Sequence, residues 1–209
     1  MYTAPLGPRP EQRLILYEFE ACPYCRKVRE ALTMLDLEVE VRPCPKRGQR
    51  FRPTIVEKGR SMFPYLIDPN TGDAMWESDD IVAHLYEHYG DGAPPLLLRL
   101  GPLTDWMSSI AGLFRPGFGR AARPSQAPAQ PLELWSFDIS PFCRIVREEL
   151  TDLELPYILH NVAKKSPSRP AFIERSGRMM VPWLYDPNTE TEMFESAEIV
   201  AYLRRTYAA

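Results

Sequence analysis

The sequence has few of the features that mark membrane, secreted or disulfide-bonded proteins. Of 209 residues only four are cysteines and three are histidines. The first 13 residues contain no apolar run after their charges, which excludes a signal peptide. The most apolar stretch, Leu96–Phe118, carries charged residues, glycines and prolines, so it is too short and too polar to span a bilayer. A cytoplasmic location is therefore the default expectation, and no membrane partner is expected.

The charges are nearly balanced and interspersed along the chain. There are 25 lysines and arginines against 28 aspartates and glutamates, a net charge of −3, with no basic stripe that would indicate a nucleic-acid partner. Four cysteines without a secretory signal favour thiol chemistry in a reducing compartment over a disulfide scaffold.

The strongest positive feature is an internal repeat with an offset of 118 residues. Leu14–Tyr89 aligns without a gap to Leu132–Tyr207, and roughly four positions in ten are identical. This offset far exceeds the about 20–50 residues of solenoid repeats, so it indicates a duplicated domain. The sequence predicts a first domain over 12–90, a linker with a short helix over 91–131, and a second domain over 132–209. Domains this small are marginal alone, so we expect an intramolecular pseudo-dimer or a homodimer.

Each copy has the pattern strand, helix, strand, a segment with a helix, then two strands and a final helix. The second strands are expected at Leu37–Val41 and Leu155–Leu159. An Asp-Pro-Asn-Thr turn follows the third strand and predicts a hairpin. The final helices are expected to begin at Ser78 and Ser196, each with its serine as the N-cap.

The segment between the copies has two parts. Leu96–Leu113 is compatible with a short helix whose Trp106 and Ile110 face a domain. Arg115–Pro131 is rich in proline, glycine, alanine and arginine, a composition typical of a linker.

The first copy carries a Cys-Pro-Tyr-Cys motif where its first strand meets its first helix. A helix N-terminus stabilises a thiolate, which is the form that attacks disulfides. We therefore expect Cys22 to be the exposed nucleophile and Cys25, one turn later, to be the resolving thiol. Arg26 and Lys27 are expected to add to the stabilisation of the thiolate.

Metal binding is the main alternative for this cysteine pair. A zinc site would need further ligands, but no second pair exists, and neither Cys44 nor the histidines stand at ligand spacing from it, so no metal is expected. Two structural cysteines are a further alternative, although a helix start led by proline exposes the first sulfur. His84 and His88 have an i, i+4 spacing that metals use, but we favour a solvated helix face for them.

The second copy has Ser140, Pro141, Phe142 and Cys143 at the equivalent positions. Ser140 cannot form a disulfide, so this site cannot perform dithiol chemistry. Two interpretations stay open: a serine that stabilises a bound thiolate, and a simple helix N-cap.

A proline and a Glu-Ser pair recur in both copies. The proline precedes the third strand and the pair opens the last helix, in the sequences Phe63-Pro64 and Glu77-Ser78, and Val181-Pro182 and Glu195-Ser196. Free N–H groups at a helix start bind a carboxylate, and a glutamate beside them binds an ammonium group. The pair therefore suits the head of an amino acid, which carries one charge of each sign.

Together these motifs resemble the glutathione-binding, thioredoxin-like domain of glutaredoxins and of the N-termini of glutathione transferases. The motif at Cys22 resembles a dithiol glutaredoxin site, and the motif at Ser140 resembles a serine-type transferase start. The whole chain, including Cys44–Pro53, resembles the tandem transferase-N-terminal-domain proteins of cyanobacteria and plastids. The resemblance implies an α/β fold of two tandem thioredoxin-like domains, each a four-stranded mixed sheet flanked by helices. It also adds the plastid stroma as a location if a transit peptide was removed.

The resemblance further implies glutathione as a cosubstrate, cis peptide bonds before Pro64 and Pro182, and glutathione lying along the backbone of Phe63 or Val181. Its γ-glutamyl end would meet the Glu-Ser pair. The implied glutathione-binding residues are Tyr24, Phe63, Pro64, Glu77 and Ser78 in the first copy, and Phe142, Val181, Pro182, Glu195 and Ser196 in the second. Lys46, Arg50 and Arg52 are candidates for the glycine carboxylate, and Cys44 is expected to be a half-buried cysteine at a strand end.

These inferences predict a glutathione-dependent thiol–disulfide oxidoreductase. Cys22 would attack a disulfide-bearing substrate, and Cys25 or a second glutathione would resolve the product. A transferase-like reaction of an electrophilic substrate at Ser140 is an alternative, although no all-helical transferase domain follows either copy. A non-catalytic module that binds glutathione or a protein is another. The rigid Pro23 disfavours an iron–sulfur cluster bridged by Cys22 and glutathione.

Overall fold

The computed structural model describes residues 1–99 and 118–209, and it shows two similar α/β units side by side. The elements, in chain order, are β1 Leu14–Glu18, α1 Pro23–Met34, β2 Val39–Pro43, α2 Arg52–Glu57, β3 Tyr65–Asp68, β4 Asp73–Met75, α3 Ser78–Tyr89, α4 Leu96–Arg99, β5 Leu132–Ser136, α5 Pro141–Asp152, β6 Tyr157–Asn161, α6 Arg169–Ser176, β7 Trp183–Asp186, β8 Thr191–Phe194 and α7 Ser196–Tyr207. Among the described residues, no helix has the length and apolar character needed to cross a membrane.

The two copies share one continuous eight-stranded sheet, in the order β4-β3-β1-β2-β6-β5-β7-β8. Each copy contributes the four-stranded mixed sheet that the sequence predicts, and the two sheets join where β2 pairs antiparallel with β6. Glu40 lies opposite Ile158, its own equivalent in the repeat, so the pairing has local two-fold symmetry. Each copy thereby covers the open strand edge of the other, which makes the chain an intramolecular pseudo-dimer.

The apolar faces of both copies form one buried cluster. Val28 and Leu32 of α1 and its C-cap Leu35 are fully buried in it, as their helical spacing predicts. Leu150 of α5 and its C-cap Leu153 are equally buried. Burial of one such leucine side chain contributes about 1.5–3 kcal/mol, so the shared core provides much of the stability of two small units.

The second strands begin two residues later than the sequence predicts. Asp36 follows α1 with a φ of 52°, and the N–H of Leu37 donates to the carbonyl of Leu32 at 3.0 Å. Leu155 closes α5 in the same way through Leu150, at 2.9 Å. These leucines end a helix rather than begin a strand, because a left-handed residue followed by such a bond is a common helix C-terminus.

The final helices begin at Ser78 and Ser196, as the sequence predicts, but the serines are not their N-caps. Glu77 and Glu195, not the serines, occupy the N-cap positions, each with a φ of 66°. Ser78 and Ser196 are the first helical residues, and neither helix has a hydrogen bond from an N-cap side chain. The left-handed backbone at each glutamate turns the chain sharply from the hairpin into the helix.

The hairpin after the third strand is confirmed. β3 pairs antiparallel with β4, and β7 pairs with β8. The N–H of Asn70 donates to Oδ1 of Asp68 at 2.9 Å, and the N–H of Asn188 donates to Oδ1 of Asp186 at 2.8 Å. Both turns therefore use the aspartate side chain as an acceptor, which is typical of Asp-initiated turns.

Residues 119–123 of the linker, called the strap here, are hydrogen-bonded to both copies. The carbonyl of Gly119 accepts the N–H of Ala21 at 3.0 Å, and the carbonyl of Arg120 accepts the N–H of Lys46 at 2.7 Å, both in the first copy. The N–H of Arg123 donates to the carbonyl of Asp152 in the second copy at 2.7 Å. This segment therefore fastens the two units together.

The helix predicted over Leu96–Leu113 begins as expected, since α4 covers its first turn. Trp106 and Ile110, which were expected to face a domain, lie outside the described residues.

Candidate functional site

Cys22 is the N-cap of α1, and its backbone is extended, with φ −82° and ψ 121°. Its Sγ accepts the N–H of Cys25 at 3.4 Å, and its thiol donates to the carbonyl of Phe63 at 3.7 Å. The expectation of an exposed sulfur is wrong, because only 5% of Cys22 is exposed. Packing against Phe63 and Tyr17 covers the side chain while leaving it in the wall of a cavity.

The two thiols of the motif have opposite protonation tendencies. Hydrogen bonds from the thiol and the backbone N–H of Cys25 lower the pKa of Cys22, against the effects of burial and of the charge of Glu18, and the charge of Arg29 lowers it further. Burial raises the pKa of Cys25 well above the ordinary thiol value, and the adjacent Cys22 raises it further. Cys22 is thus the thiol that ionises more readily, and Cys25 stays protonated beside it.

The cation that favours the thiolate is Arg29, rather than the predicted Arg26 and Lys27. Nε of Arg26 bonds to Oε1 of Glu30 at 3.0 Å, and Lys27 pairs with Asp79. Both are engaged in salt bridges of their own.

Ser140 has the same geometry as Cys22. It is the N-cap of α5, with φ −71° and ψ 122°, and its Oγ accepts the N–H of Cys143 at 3.3 Å. The N-cap interpretation is therefore correct. Because the N-cap role leaves the oxygen in the wall of a cavity, it does not exclude a chemical one.

Both N-caps line one cavity of about 180 Å³ between the two copies. The two helix starts contribute equivalent residues, including Cys22 with Pro23 on one side and Ser140 with Pro141 on the other. The sequence did not reveal this cavity, because it exists only where the copies meet. No pattern within one copy could have indicated it.

A buried ionic network crosses between the copies at this cavity. Nε of Arg29 donates to Oδ1 of Asp138 at 2.9 Å, and Nε of Arg147 donates to Oε2 of Glu20 at 2.9 Å. These two pairs are equivalent in the repeat, so each copy places its arginine on the carboxylate of the other. The network holds the two helix starts in a defined position relative to each other.

The network is asymmetric at one position. Glu18 of the first copy also pairs with Arg29, whereas its equivalent, Ser136, accepts a hydrogen bond from Arg147 at 3.1 Å. Burial raises the pKa of Glu18 to about 7, against the lowering effect of Arg29. The first copy therefore holds an additional carboxylate close to its thiols.

The candidate glutathione-binding residues of the first copy come together. All five line one cavity of about 190 Å³, namely Tyr24, Phe63, Pro64, Glu77 and Ser78. Met62 lines it as well, and no signal in the sequence pointed to it. Cys22 lines the cavity between the copies, and its thiol contacts the carbonyl of Phe63, a residue that lines the cavity of the glutathione candidates.

The equivalent residues of the second copy have nearly the same backbone. The peptide bonds Phe63–Pro64 and Val181–Pro182 are both cis, as the resemblance implies. Glu195 matches Glu77 within one degree in φ and ψ, and Ser196 follows it. Phe142 is 60% exposed where Tyr24 is 50% exposed, so both copies present an aromatic ring beside the N-cap.

The structure separates the three basic candidates. Arg52 lies over the ring of Phe63, 4.9 Å from its centroid, and donates to the carbonyl of Cys44 at 2.9 Å. Arg50 instead donates to the carbonyls of Ser125 and Leu153, across the interface of the copies. Lys46 is bonded to the strap through its backbone. Of the three, Arg52 is the residue that lies beside Phe63, in the wall of the cavity of the glutathione candidates.

Two further expectations are wrong. Cys44 is fully buried rather than half-buried, and burial raises the pKa of its thiol, so it is unsuited to thiolate chemistry. His84 is not on a solvated face, because it is only 8% exposed and its Nε2 bonds to Oδ2 of Asp68 at 2.9 Å.

The family described as "Glutathione S-transferase, N-terminal domain" matches residues 16–95 and 134–209. Similar solved structures include the Bombyx mori glutathione transferase BmGSTD1, with 26% identity, TM-score 0.35 and coverage of 40% of this chain and 38% of that one. Ure2p in complex with S-p-nitrobenzylglutathione has 21% identity, TM-score 0.34 and coverage of 53% and 48%. The trimeric glutathione transferase TDR1 of Leishmania has 13% identity, TM-score 0.34 and coverage of 95% and 68%.

The chain spans less than half the length of BmGSTD1 and of Ure2p. Comparison with curated protein sequences gives no match. The family match covers most of the chain and falls once on each copy. The chain therefore belongs to the glutathione S-transferase N-terminal domain family, and it carries that domain twice.

Proposed function

We propose that this protein is a glutathione-dependent thiol–disulfide oxidoreductase whose chemistry takes place at Cys22. The observation that carries the proposal is the position of this sulfur. It caps a helix, has a lowered pKa, lines the cavity between the copies, and contacts the carbonyl of Phe63 in the wall of the cavity of the glutathione candidates. One substrate would approach the sulfur from each side.

Glutathione would bind in one orientation in the cavity of the glutathione candidates, which is lined by Tyr24, Phe63, Pro64, Glu77 and Ser78. Its γ-glutamyl carboxylate would meet the free N–H groups at the start of α3, and Glu77 would accept its ammonium group. Arg52, beside Phe63, would meet the glycine carboxylate at the other end. The cysteine of glutathione would then lie next to Phe63 and face Cys22.

The reaction would proceed by two exchanges. The Cys22 thiolate attacks the glutathione sulfur of a mixed disulfide, a Cys22–glutathione bond forms, and the substrate thiolate leaves and takes up a proton. The thiolate of a second glutathione then attacks the glutathione sulfur bound to Cys22. Glutathione disulfide leaves and the Cys22 thiolate is regenerated. The substrate is thus released as a thiol, and one free glutathione is oxidised as it joins the glutathione taken from the mixed disulfide.

The state of Cys25 supports resolution by a second glutathione rather than by Cys25 itself. Cys25 is fully buried and its pKa is raised, so its thiolate is scarce at neutral pH. Its contribution is two hydrogen bonds to Cys22, one from its thiol and one from its backbone N–H, and a serine hydroxyl can replace the thiol as donor. Cys25→Ser should therefore keep most of the activity.

The cavity between the copies limits the second substrate. Its volume of about 180 Å³ is close to the about 190 Å³ of the cavity of the glutathione candidates. This space accommodates a molecule or a flexible segment of similar size rather than a folded surface. We therefore include disulfides of small molecules or of flexible peptides as the substrate class.

Ser140 supports a second candidate function, a transferase-like reaction in which it stabilises the thiolate of glutathione for attack on an electrophile. Its oxygen lines the same cavity with the same cap geometry as Cys22. A cap that already accepts the N–H of Cys143 still has a lone pair for a further hydrogen bond.

We also propose that this chain is a tandem protein of the cyanobacterial and plastid type and that it acts in a reducing compartment. The tandem organisation agrees with the cyanobacterial and plastid proteins that the sequence resembles. Thiol chemistry at Cys22 requires a reducing compartment, such as the cytoplasm or the plastid stroma.

The test uses four proteins: the wild type, Cys22→Ser, Cys25→Ser and Ser140→Ala. Cys22→Ser is a matched control, because it gives the first copy the N-cap residue of the second. Each protein is alkylated with iodoacetamide from pH 4 to 9, and each is incubated with glutathione disulfide and weighed by intact mass spectrometry. Glutathione-coupled disulfide reduction is measured in parallel.

We expect one low-pKa thiol and one captured glutathione per chain in the wild type, Cys25→Ser and Ser140→Ala, and neither in Cys22→Ser. Full reductase activity in Cys22→Ser would refute the proposal. Turnover of a model electrophile that disappears in Ser140→Ala but not in Cys22→Ser would establish the second candidate. Bound glutathione without turnover in any assay would instead indicate that the protein is a non-catalytic glutathione-binding module.

A further inference from the structure

A group of metal-ligand side chains lies away from the thiols, at the C-terminal half of α3. His84 and His88 are one turn apart on this helix, and their ring centroids are 4.4 Å apart. Asp73, the first residue of β4, faces them across the hairpin, with its Oδ2 at 3.9 Å from Nδ1 of His84. One ligand atom from each of the three residues lies within 4.8 Å of the others.

A buried carboxylate orients the central ligand. Nε2 of His84 bonds to Oδ2 of Asp68 at 2.9 Å, and Asp68 is fully buried. Because a carboxylate accepts, Nε2 carries the proton, and Nδ1, which lies 3.9 Å from Oδ2 of Asp73, keeps a lone pair for a metal ion. Histidine ligands of metals are commonly held in this way by a carboxylate on the other nitrogen.

The second copy shows that the fold does not require these residues. The equivalents of Asp73, His84 and His88 are Thr191, Tyr202 and Thr206. The hydroxyl of Tyr202 donates to Oδ2 of the buried Asp186 at 2.6 Å.

A tyrosine thus satisfies the buried aspartate in the second copy without offering a metal ligand. Tyr89 of the first copy also donates to Asp68, at 2.7 Å, as Tyr207 does to Asp186. The histidine in the first copy leaves Nδ1 without a proton, and the side chains of Asp73 and His88 lie close to its ring. A hydrogen bond to Asp68 requires only a donor such as a tyrosine, so it does not explain why two histidines and Asp73 lie together in the first copy.

We propose that Asp73, His84 and His88 bind one divalent transition-metal ion of the zinc class. Two imidazole nitrogens and one carboxylate oxygen suit Zn²⁺ and neighbouring ions such as Co²⁺, with water at the remaining position. Ligand atoms around one zinc ion lie roughly 3.3 Å apart, so small rotations of Asp73 and His88 complete the site. The bound ion would fasten the β3–β4 hairpin to α3, independently of the thiol chemistry.

Untagged, reduced protein is titrated with CoCl₂ and with ZnCl₂. Binding is measured by calorimetry and, for Co²⁺, also by its visible absorption spectrum. The variants introduce the equivalent residues of the second copy at each position: Asp73→Thr, His84→Tyr and His88→Thr, alone and combined. His84→Tyr keeps a donor for Asp68, and Asp73→Thr and His88→Thr change residues at the surface of the site, so these variants retain the fold. Cys22→Ser is the control for metal binding by thiols.

We expect one ion per chain, with a Co²⁺ spectrum that lacks the charge-transfer band of thiolate ligands. Changes in the outer shell of a metal site already reduce affinity by about 10–100-fold, so each ligand variant should lose at least about tenfold, and Cys22→Ser nothing. The same affinity in the triple variant, loss of binding in Cys22→Ser, or no binding below millimolar metal would each overturn the proposal.

Discussion

The starts of α1 and α5 are the most instructive comparison within this chain. Cys22 and Ser140 have nearly the same backbone angles, and each accepts the N–H of the residue three positions later, at 3.4 and 3.3 Å. Both line the same cavity. The N-cap role therefore tolerates either atom, and the chemistry that separates the copies depends on one substitution of oxygen for sulfur.

Moving the sulfur from one copy to the other should give the largest effect. In Cys22→Ser/Ser140→Cys, the new Sγ at position 140 would accept the N–H of Cys143 and gain a lowered pKa. We expect the double variant to capture one glutathione per chain, at position 140, where Cys22→Ser alone captures none. Peptide mapping of the adduct measures this.

Absence of an adduct from a folded double variant would mean that the N-cap geometry is insufficient. The surroundings that differ between the copies, such as Glu18 against Ser136, would then decide which sulfur reacts.

The second comparison is between Arg29 and Arg147. Arg29 pairs with Glu18, Glu20 and Asp138, whereas Arg147, among the residues that the structure describes, pairs with Glu20 and Asp138. Removal of one partner from a buried ionic group costs about 3–5 kcal/mol, because a charge is left buried without compensation. We expect this loss of unfolding free energy for Arg29→Met and a smaller one for Arg147→Met, measured by urea denaturation at pH 8.

The reason for the difference is Glu18, which loses its salt-bridge partner only in Arg29→Met. The control is Glu18→Ser/Arg29→Met, which makes the first copy resemble the second at this position. It should recover part of the loss. Equal losses for the two single variants would show that Glu18 does not distinguish the copies.

The smallest expected effect concerns the pH dependence of stability. The pKa of Glu18 rises from an ordinary value of 4.5 to about 7 on folding, so the folded state binds the proton more tightly than the unfolded state. The contribution of this tighter proton binding to the unfolding free energy is complete below pH 4.5 and is lost as the pH rises to 7. At 1.36 kcal/mol per pKa unit, it amounts to at most about 3 kcal/mol.

Glu18→Gln removes this titration and keeps the shape of the side chain. We expect the unfolding free energy of the variant to fall less between pH 5 and 8 than that of the wild type, in parallel urea titrations. Ser136→Ala is the matched control in the second copy, and its pH dependence should follow the wild type. Parallel curves for the wild type and Glu18→Gln would contradict the raised pKa.

Local patterns predicted most elements of the fold, and the errors have identifiable causes. The apolar spacing of α1 and the Asp-Pro-Asn-Thr turns indicated the helix and the hairpins correctly. The start of β2 was misplaced because Asp36 takes a left-handed backbone that glycine usually occupies at a helix end. The N-caps of α3 and α7 were misassigned for a related reason, since Glu77 and Glu195 are left-handed as well.

The sequence by itself determined the duplication, the order of elements in each copy and the positions of Cys22 and Ser140 at helix starts. These features depend on residue type and spacing along the chain, which a repeat displays twice. Only the tertiary structure decided that β2 pairs with β6, that both helix starts share one cavity, and that Arg29 and Arg147 each bind a carboxylate of the other copy. An open strand edge offers the same N–H and C=O groups whatever its side chains, so the sequence of one copy does not specify the edge with which it pairs.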